Sequence, residues 1–225
     1  MSDFARDLPE ARGKTNVGGF TPDLERIASL APDLVVASRD GTDKAAYDRL
    51  VSLQYRVVVT SGATLEGVLD DIGTVARAIG EEARGRALVA DLSRRIAAAE
   101  KRRPAEGATV LVVIWPEPPI VAGRKTFIGD LLSRAGLRNV VPESAGEWPR
   151  VSHETIAGWS PSIVIRPDTP ENEGAFATAF GSDPRWAVAF GGKKGNVVKI
   201  PGSFLERPGP RLVDALERLV SLTRP

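Results

Sequence analysis

The sequence predicts an α/β fold built as two similar halves, on three observations. Short apolar runs suited to strands alternate with stretches of helical periodicity, the pattern of a parallel sheet covered by helices. One phrase is written twice: Leu24-Glu25-Arg26-Ile27-Ala28-Ser29-Leu30-Ala31-Pro32-Asp33-Leu34-Val35-Val36 is echoed by His153-Glu154-Thr155-Ile156-Ala157-Gly158-Trp159-Ser160-Pro161-Ser162-Ile163-Val164-Ile165. A long helical stretch lies between the two copies. Each copy reduces to Glu-x-Ile-Ala-x-apolar-x-Pro-x-apolar-Val-apolar: a short helix with a carboxylate in its first turn, a stop before proline, then a strand. The copies start roughly 130 residues apart, far beyond a solenoid period of about 20–50 residues, so they read as equivalent parts of two lobes.

In order, residues 1–9 read as irregular polar chain with no basic leader and no apolar stretch of signal-peptide type. Gly18-Gly19-Phe20 is a loop, with Thr21 as N-cap and Pro22 at the first helical position. A strand over 34–37, a helix over 42–53 and a strand over 56–60 follow, both strands apolar enough to be covered on two faces. Residues 64–103 are helical with a break near Gly80. The second part, 81–103, carries Leu88, Leu92, Ile96 and Ala99 at helical spacing. At about 1.5 Å per residue it spans over 30 Å, as a rigid connector or as a packed surface helix.

The second half restarts with the buried strand 109–115. A helix over 126–135 closes at Gly136. The repeated helix after Ser152, a strand over 163–166, a helix over 171–180, a strand over 197–200 and a helix over 208–222 complete it. Gly191-Gly192-Lys193-Lys194-Gly195 lacks the spacing of a phosphate loop and reads as a turn.

Composition excludes several classes of function. With 30 Lys and Arg against 29 Asp and Glu, no long-range field favours nucleic acid or an anionic membrane. Cysteine is absent and His153 is the single histidine, which removes thiolate sites and disfavours a His-based metal site or a Ser-His-Asp relay. No apolar run approaches the roughly 20 residues that cross a bilayer. Nucleophile-elbow, dinucleotide and zinc-protease motifs are missing.

Four loops can hold a ligand, since open α/β sheets bind at strand ends. They are Gly18-Gly19-Phe20; the stiff Trp115 to Gly123 segment containing Ile120; Gly146-Glu147-Trp148-Pro149-Arg150, whose indole is expected to be exposed; and Pro201 to Arg207, with Phe204 and a cation at Arg207. Glu25 and Glu154 can serve as a catalytic acid pair or as first-turn carboxylates favoured by the helix dipole. Only the second reading is routine, and it does not explain their matched positions.

Read together, Asp3-Phe4, Leu8-Pro9-Glu10-Ala11, Val17-Gly18-Gly19-Phe20, Pro22-Asp23-Leu24-Glu25-Arg26-Ile27, Ala31-Pro32-Asp33-Leu34-Val35, Pro118-Pro119, Ala122-Gly123, Phe127-Ile128-Gly129-Asp130-Leu131-Leu132, Ala135-Gly136, Asn139-Val140 and Trp148-Pro149-x-Val151-Ser152-x-Glu154 resemble the substrate-binding proteins of ABC importers for cobalamin, ferric siderophores and haem, the cobalamin branch above all. The resemblance implies two Rossmann-like lobes with short parallel sheets, joined by one long helix, with ligand held between them. It implies an N-terminal lobe over 1–80, a connecting helix over 81–103, a C-terminal lobe over 104–225, and little lobe closure. Glu25 and Glu154 then dock against arginines of two permease subunits, while Phe4, Phe20, Trp148, Phe204 and Arg207, with Ile120 beside them, contact the ligand.

The implied function is capture of a corrinoid, without catalysis, cofactor or bound metal, in the periplasm or cell envelope; haem or a ferric siderophore is the alternative. An α/β enzyme using Glu25 or Glu154 as acid or base is the competing class. The family opens with a leader, a strand and a helix before the position of Phe4, so the first lobe is expected to lack that strand and helix. The family's aromatic after the first repeated strand is Ser38 here, and its acidic position near Phe204 is Ser203, which keeps the ligand alternatives open.

Overall fold

The computed structural model describes residues 1–5, 8–39, 41–104, 107–191, 196–205 and 207–222, and no side chain at Phe4 or Glu171. The chain divides into two compact units, Met1–Gly62 with Asp70–Ala87, and Ala63–Leu69 with Leu88–Pro225.

In the first unit, α1 (Leu24–Ser29), β1 (Val35–Ser38), α2 (Lys44–Ser52) and β2 (Val57–Thr60) follow one another. β1 and β2 pair in parallel, with Val35 opposite Val57 and Ser38 opposite Thr60. Ile27, Ala37, Ala46 and Leu50 are buried. The expectation that both strands are covered on two faces is corrected: Val36 is 52% exposed and Val59 41%. Val36 pairs with Val58 and Val59 with Ala37, and neighbouring side chains on a strand point to opposite faces, so each face of this two-stranded pair leaves one valine open. The opening residues are also more ordered than expected. Short 3-10 turns form at Asp3–Ala5 and Pro9–Ala11. The Val17 amide donates to the Met1 carbonyl at 2.9 Å, and the Asp3 amide to that of Gly18 at 2.8 Å.

α3 (Leu65–Ala78) and α4 (Glu82–Glu100) are separated at Gly80, whose φ of 76° ends the first helix as expected. Each of these helices contributes residues to both units.

The second unit contains β3 (Thr109–Pro116), β4 (Pro119–Val121), α5 (Phe127–Arg134), β5 (Arg138–Asn139), α6 (His153–Trp159), β6 (Ile163–Asp168), α7 (Pro170–Ser182), α8 (Pro184–Ala189), β7 (Val197–Pro201), α9 (Gly202–Leu205) and α10 (Leu212–Leu222). The sheet runs β4-β3-β6-β7, and β5 also pairs with β3. All pairings are parallel except β3 with β4. Val110 to Val113 of β3 are fully buried, as are Val164 and Ile165 of β6, so these central strands are the continuous apolar runs of a sheet covered on both faces. α5 begins at Thr126, whose hydroxyl accepts from the Gly129 amide, and stops before Gly136 at φ 73°.

Four points differ from the sequence expectations. The stiff proline-rich segment expected after the strand is the turn of a β-hairpin from β3 to β4 rather than a loop. Residues 202–205 form α9, and the final helix starts at Leu212 rather than at 208. α8, capped by Asp183, was not anticipated. Of the turn expected at 191–195, only Gly191 falls among the described residues.

Candidate functional site

The two copies of the repeated phrase fold alike, each within its own unit. In α1 the side chain of Asp23 caps the helix by accepting from the Arg26 amide at 2.9 Å, which replaces the expected Thr21 cap. In α6 the hydroxyl of Ser152 does the same for Thr155 at 3.2 Å. Each cap satisfies one of the amides left over in a first helical turn. Glu25 and Glu154 both fall two residues after the cap, and both are exposed. Ile27 and Ile156, four residues after the cap, are both buried. The match continues past the helices: Ala31 has φ 42° and Ser160 φ 48°, a left-handed conformation uncommon outside glycine. In each copy that residue precedes a proline and then a parallel strand. The Glu154 carboxyl is held below its usual range, first by the Ser152 hydroxyl and then by its own backbone amide, with the charges of His153 and Arg185 adding to this.

The aromatic candidates take different settings. Phe4 lies in the first 3-10 turn, and its side chain is outside the described residues. Phe20 is 55% exposed, and its carbonyl accepts from the Asp43 amide at 2.8 Å just before α2.

In the second unit, the fold brings Ile120 and Trp148 onto neighbouring segments. The Val121 amide donates to the Pro149 carbonyl at 3.1 Å, the Val151 amide to that of Pro119 at 3.0 Å, and the Gly123 amide to that of Glu147 at 2.7 Å. Gly123 is required there, because a Cβ on it would stand 2.0 Å from the Gly146 oxygen. Two expected ligand loops are thus stitched together by backbone. Ile120 is half-buried and Trp148 is 43% exposed, as the sequence led us to expect of that indole. Phe127, which the sequence reading did not single out, lies with its ring centre 6.1 Å from that of Trp148. Its place just after the Thr126 cap was the available signal.

Phe204 sits half-buried on α9, directly after β7. Arg207 is half-buried and follows the single undescribed residue Glu206. The arrangement therefore offers exposed carboxylates at two equivalent helix starts, and an indole on a rigid scaffold beside a phenyl ring. Aromatic faces with a few polar groups suit a large, flat ligand.

Comparison with known proteins fits this geometry. The model of the periplasmic binding protein family matches residues 2–203. A cobalamin-binding protein of Halobacterium salinarum is 29% identical over 98% of this chain and 62% of its own length. The chain thus spans under two thirds of that relative. A vitamin B12-binding protein of Salmonella typhi is 26% identical over 97% of this chain and 80% of its own. Among solved structures, the vitamin B12 binding protein BtuF of Vibrio cholerae superposes with a TM-score of 0.82 at 20% identity, covering 98% of this chain and 85% of its own, which speaks for the fold. A periplasmic heme binding protein of Pseudomonas aeruginosa gives 0.80 at 26% identity, covering 98% and 83%. From its sequence, its two-unit α/β fold and these matches, the chain belongs to the periplasmic binding protein family.

Proposed function

We propose that this chain is the ligand-capturing component of an ABC importer, that it binds a corrinoid, and that it acts in the periplasm or cell envelope. The observation that carries the reading is the duplicated helix start: two exposed glutamates at one offset from two caps, one in each unit. A helix dipole explains either carboxylate alone. A partner with two equivalent subunits explains why both copies keep the same offset, so Glu25 and Glu154 are assigned to docking on the two permease subunits. α4 serves as the stiff connector. Relatives named for cobalamin or vitamin B12 support the choice of ligand, with Phe4, Phe20, Ile120, Trp148, Phe204 and Arg207 as its contacts. No cofactor is required for capture and release.

Haem is the second reading, favoured by the heme binding protein of Pseudomonas aeruginosa; Ser38 and Ser203, where the cobalamin branch differs, leave haem, a ferric siderophore or another corrinoid open. The enzyme reading with Glu154 as a general acid is not favoured. A general acid needs a carboxyl whose proton is held to higher pH, whereas Glu154 is exposed and shifted the other way.

The test separates docking from capture. Glu25→Ala and Glu154→Ala are expected to bind cobalamin as the parent chain does, yet to lower uptake in vesicles carrying a reconstituted importer. Loss of cobalamin affinity in either variant would place the carboxylates at the ligand instead.

A further inference from the structure

The turn after β3, the start of α6 and the start of α8 place three metal-ligating side chains together. Glu117, His153 and Asp183 each offer one ligand atom, and these atoms all lie within 4.8 Å of one another. His153 Nε2 is 3.9 Å from a Glu117 carboxylate oxygen. His153 is only 6% exposed, and among the described residues its Nε2 has no hydrogen-bond partner. A buried polar atom left without a partner is costly and calls for a reason.

The two carboxylates already hold a cation. Arg185 donates to Glu117 at 2.7 and 3.4 Å and to Asp183 at 2.6, 3.0 and 3.1 Å through its guanidinium, and its backbone amide donates to Asp183 at 2.9 Å. That guanidinium leaves His153 Nε2 unserved. Its side chain is 54% exposed and that of Glu117 49%, so the arginine can swing into solvent and an ion can enter from the same side.

We infer that Glu117, His153 and Asp183 form a binding site for a divalent transition-metal ion of the zinc class, which displaces the Arg185 guanidinium. One imidazole with two carboxylates is a nitrogen–oxygen donor set suited to zinc rather than to magnesium. Zinc bonds of about 2.0–2.2 Å bring tetrahedral ligand atoms to about 3.4 Å of one another, so Glu117 must close on the imidazole by rotation of its exposed side chain. An ion satisfies the orphan nitrogen and both carboxylates together, and the guanidinium does not. The single histidine made such a site look improbable in the sequence; the fold supplies the two carboxylates from distant positions.

The experiment is calorimetric titration of the purified full chain with zinc chloride in a non-chelating buffer, with no corrinoid present. Its outcome is therefore independent of the transport reading. The expected result is one saturable zinc per chain and far weaker binding of magnesium. Glu117→Gln and His153→Gln each weaken zinc by at least about tenfold, and Arg185→Ala strengthens it by removing the competing cation. Circular dichroism checks that each variant is folded. Should His153→Gln fail that check, Glu117→Gln on the exposed turn and the gain in Arg185→Ala carry the test. Zinc binding that is absent from the parent chain and from Arg185→Ala, or that is unchanged in Glu117→Gln, overturns the site.

Discussion

Truncation of Trp148 is the sharpest probe of the proposed ligand-facing surface. The indole is 43% exposed, held by backbone pairing of residues 147–151 with 119–123 and flanked by Phe127. A tryptophan side chain presents about 150–250 Å², so roughly 65–110 Å² of this one is open to a ligand. At about 25 cal/mol per Å² of apolar area, covering that surface contributes about 1.6–2.7 kcal/mol. Trp148→Ala should therefore weaken cobalamin binding by roughly 15- to 100-fold, and Trp148→Phe by less, since a smaller ring remains. Titration calorimetry with cyanocobalamin reads the affinity. Thermal melting of the free variants confirms that the scaffold, whose pairing of 147–151 with 119–123 runs through backbone groups, survives. Affinity within twofold of the parent chain, in a folded Trp148→Ala, would refute the stacking argument.

Two further outcomes test the fold around the site. Gly123→Ala puts a Cβ against the Gly146 oxygen at 2.0 Å. It should cost about 1–3 kcal/mol in urea unfolding, the usual range for overpacking; a neutral result would mean the hairpin and the Trp148 segment are not tightly stitched. Glu173 is held down to about 2, first by its hydrogen bond with Lys199 and then by that with the buried Arg166. A depressed carboxyl stabilises the fold above its ordinary value near 4.5, and this stabilisation fades as pH falls toward 2. The urea midpoint of Glu173→Gln should then lie below that of the parent chain at neutral pH and converge with it near pH 2. Parallel curves would contradict the pairing.

Much of this was legible where one local signal dominates. Ser152 ahead of an apolar-periodic run gave the start of α6, and Gly136 gave the stop of α5. The apolar run at Thr109 could only be a covered strand. Thr21 misled because Pro22 follows it with the pattern of a helix start, while Asp23, one step further on, has the carboxylate that reaches the Arg26 amide. The hairpin at Glu117 was hidden because a Glu-Pro-Pro turn lacks the Asn-Gly or Asp-Gly chemistry that announces one. Val36 and Val59 look like core by composition, yet cover depends on which helices reach each face, and that is a tertiary fact. Asp183-Pro184 was a readable cap for α8 that the reading passed over. The meeting of Glu117, His153 and Asp183 was illegible, since residues from three separate elements come together only on folding.

The central claim is capture of a corrinoid, and the most direct measurement is retention of its colour. The purified chain is mixed with cyanocobalamin, desalted, and its visible absorption compared with parallel samples given haem or a ferric siderophore. The account predicts that the corrin spectrum travels with the protein at one ligand per chain. Protein that emerges from the cyanocobalamin mixture without the corrin spectrum, whether or not it keeps haem or a ferric siderophore, contradicts it.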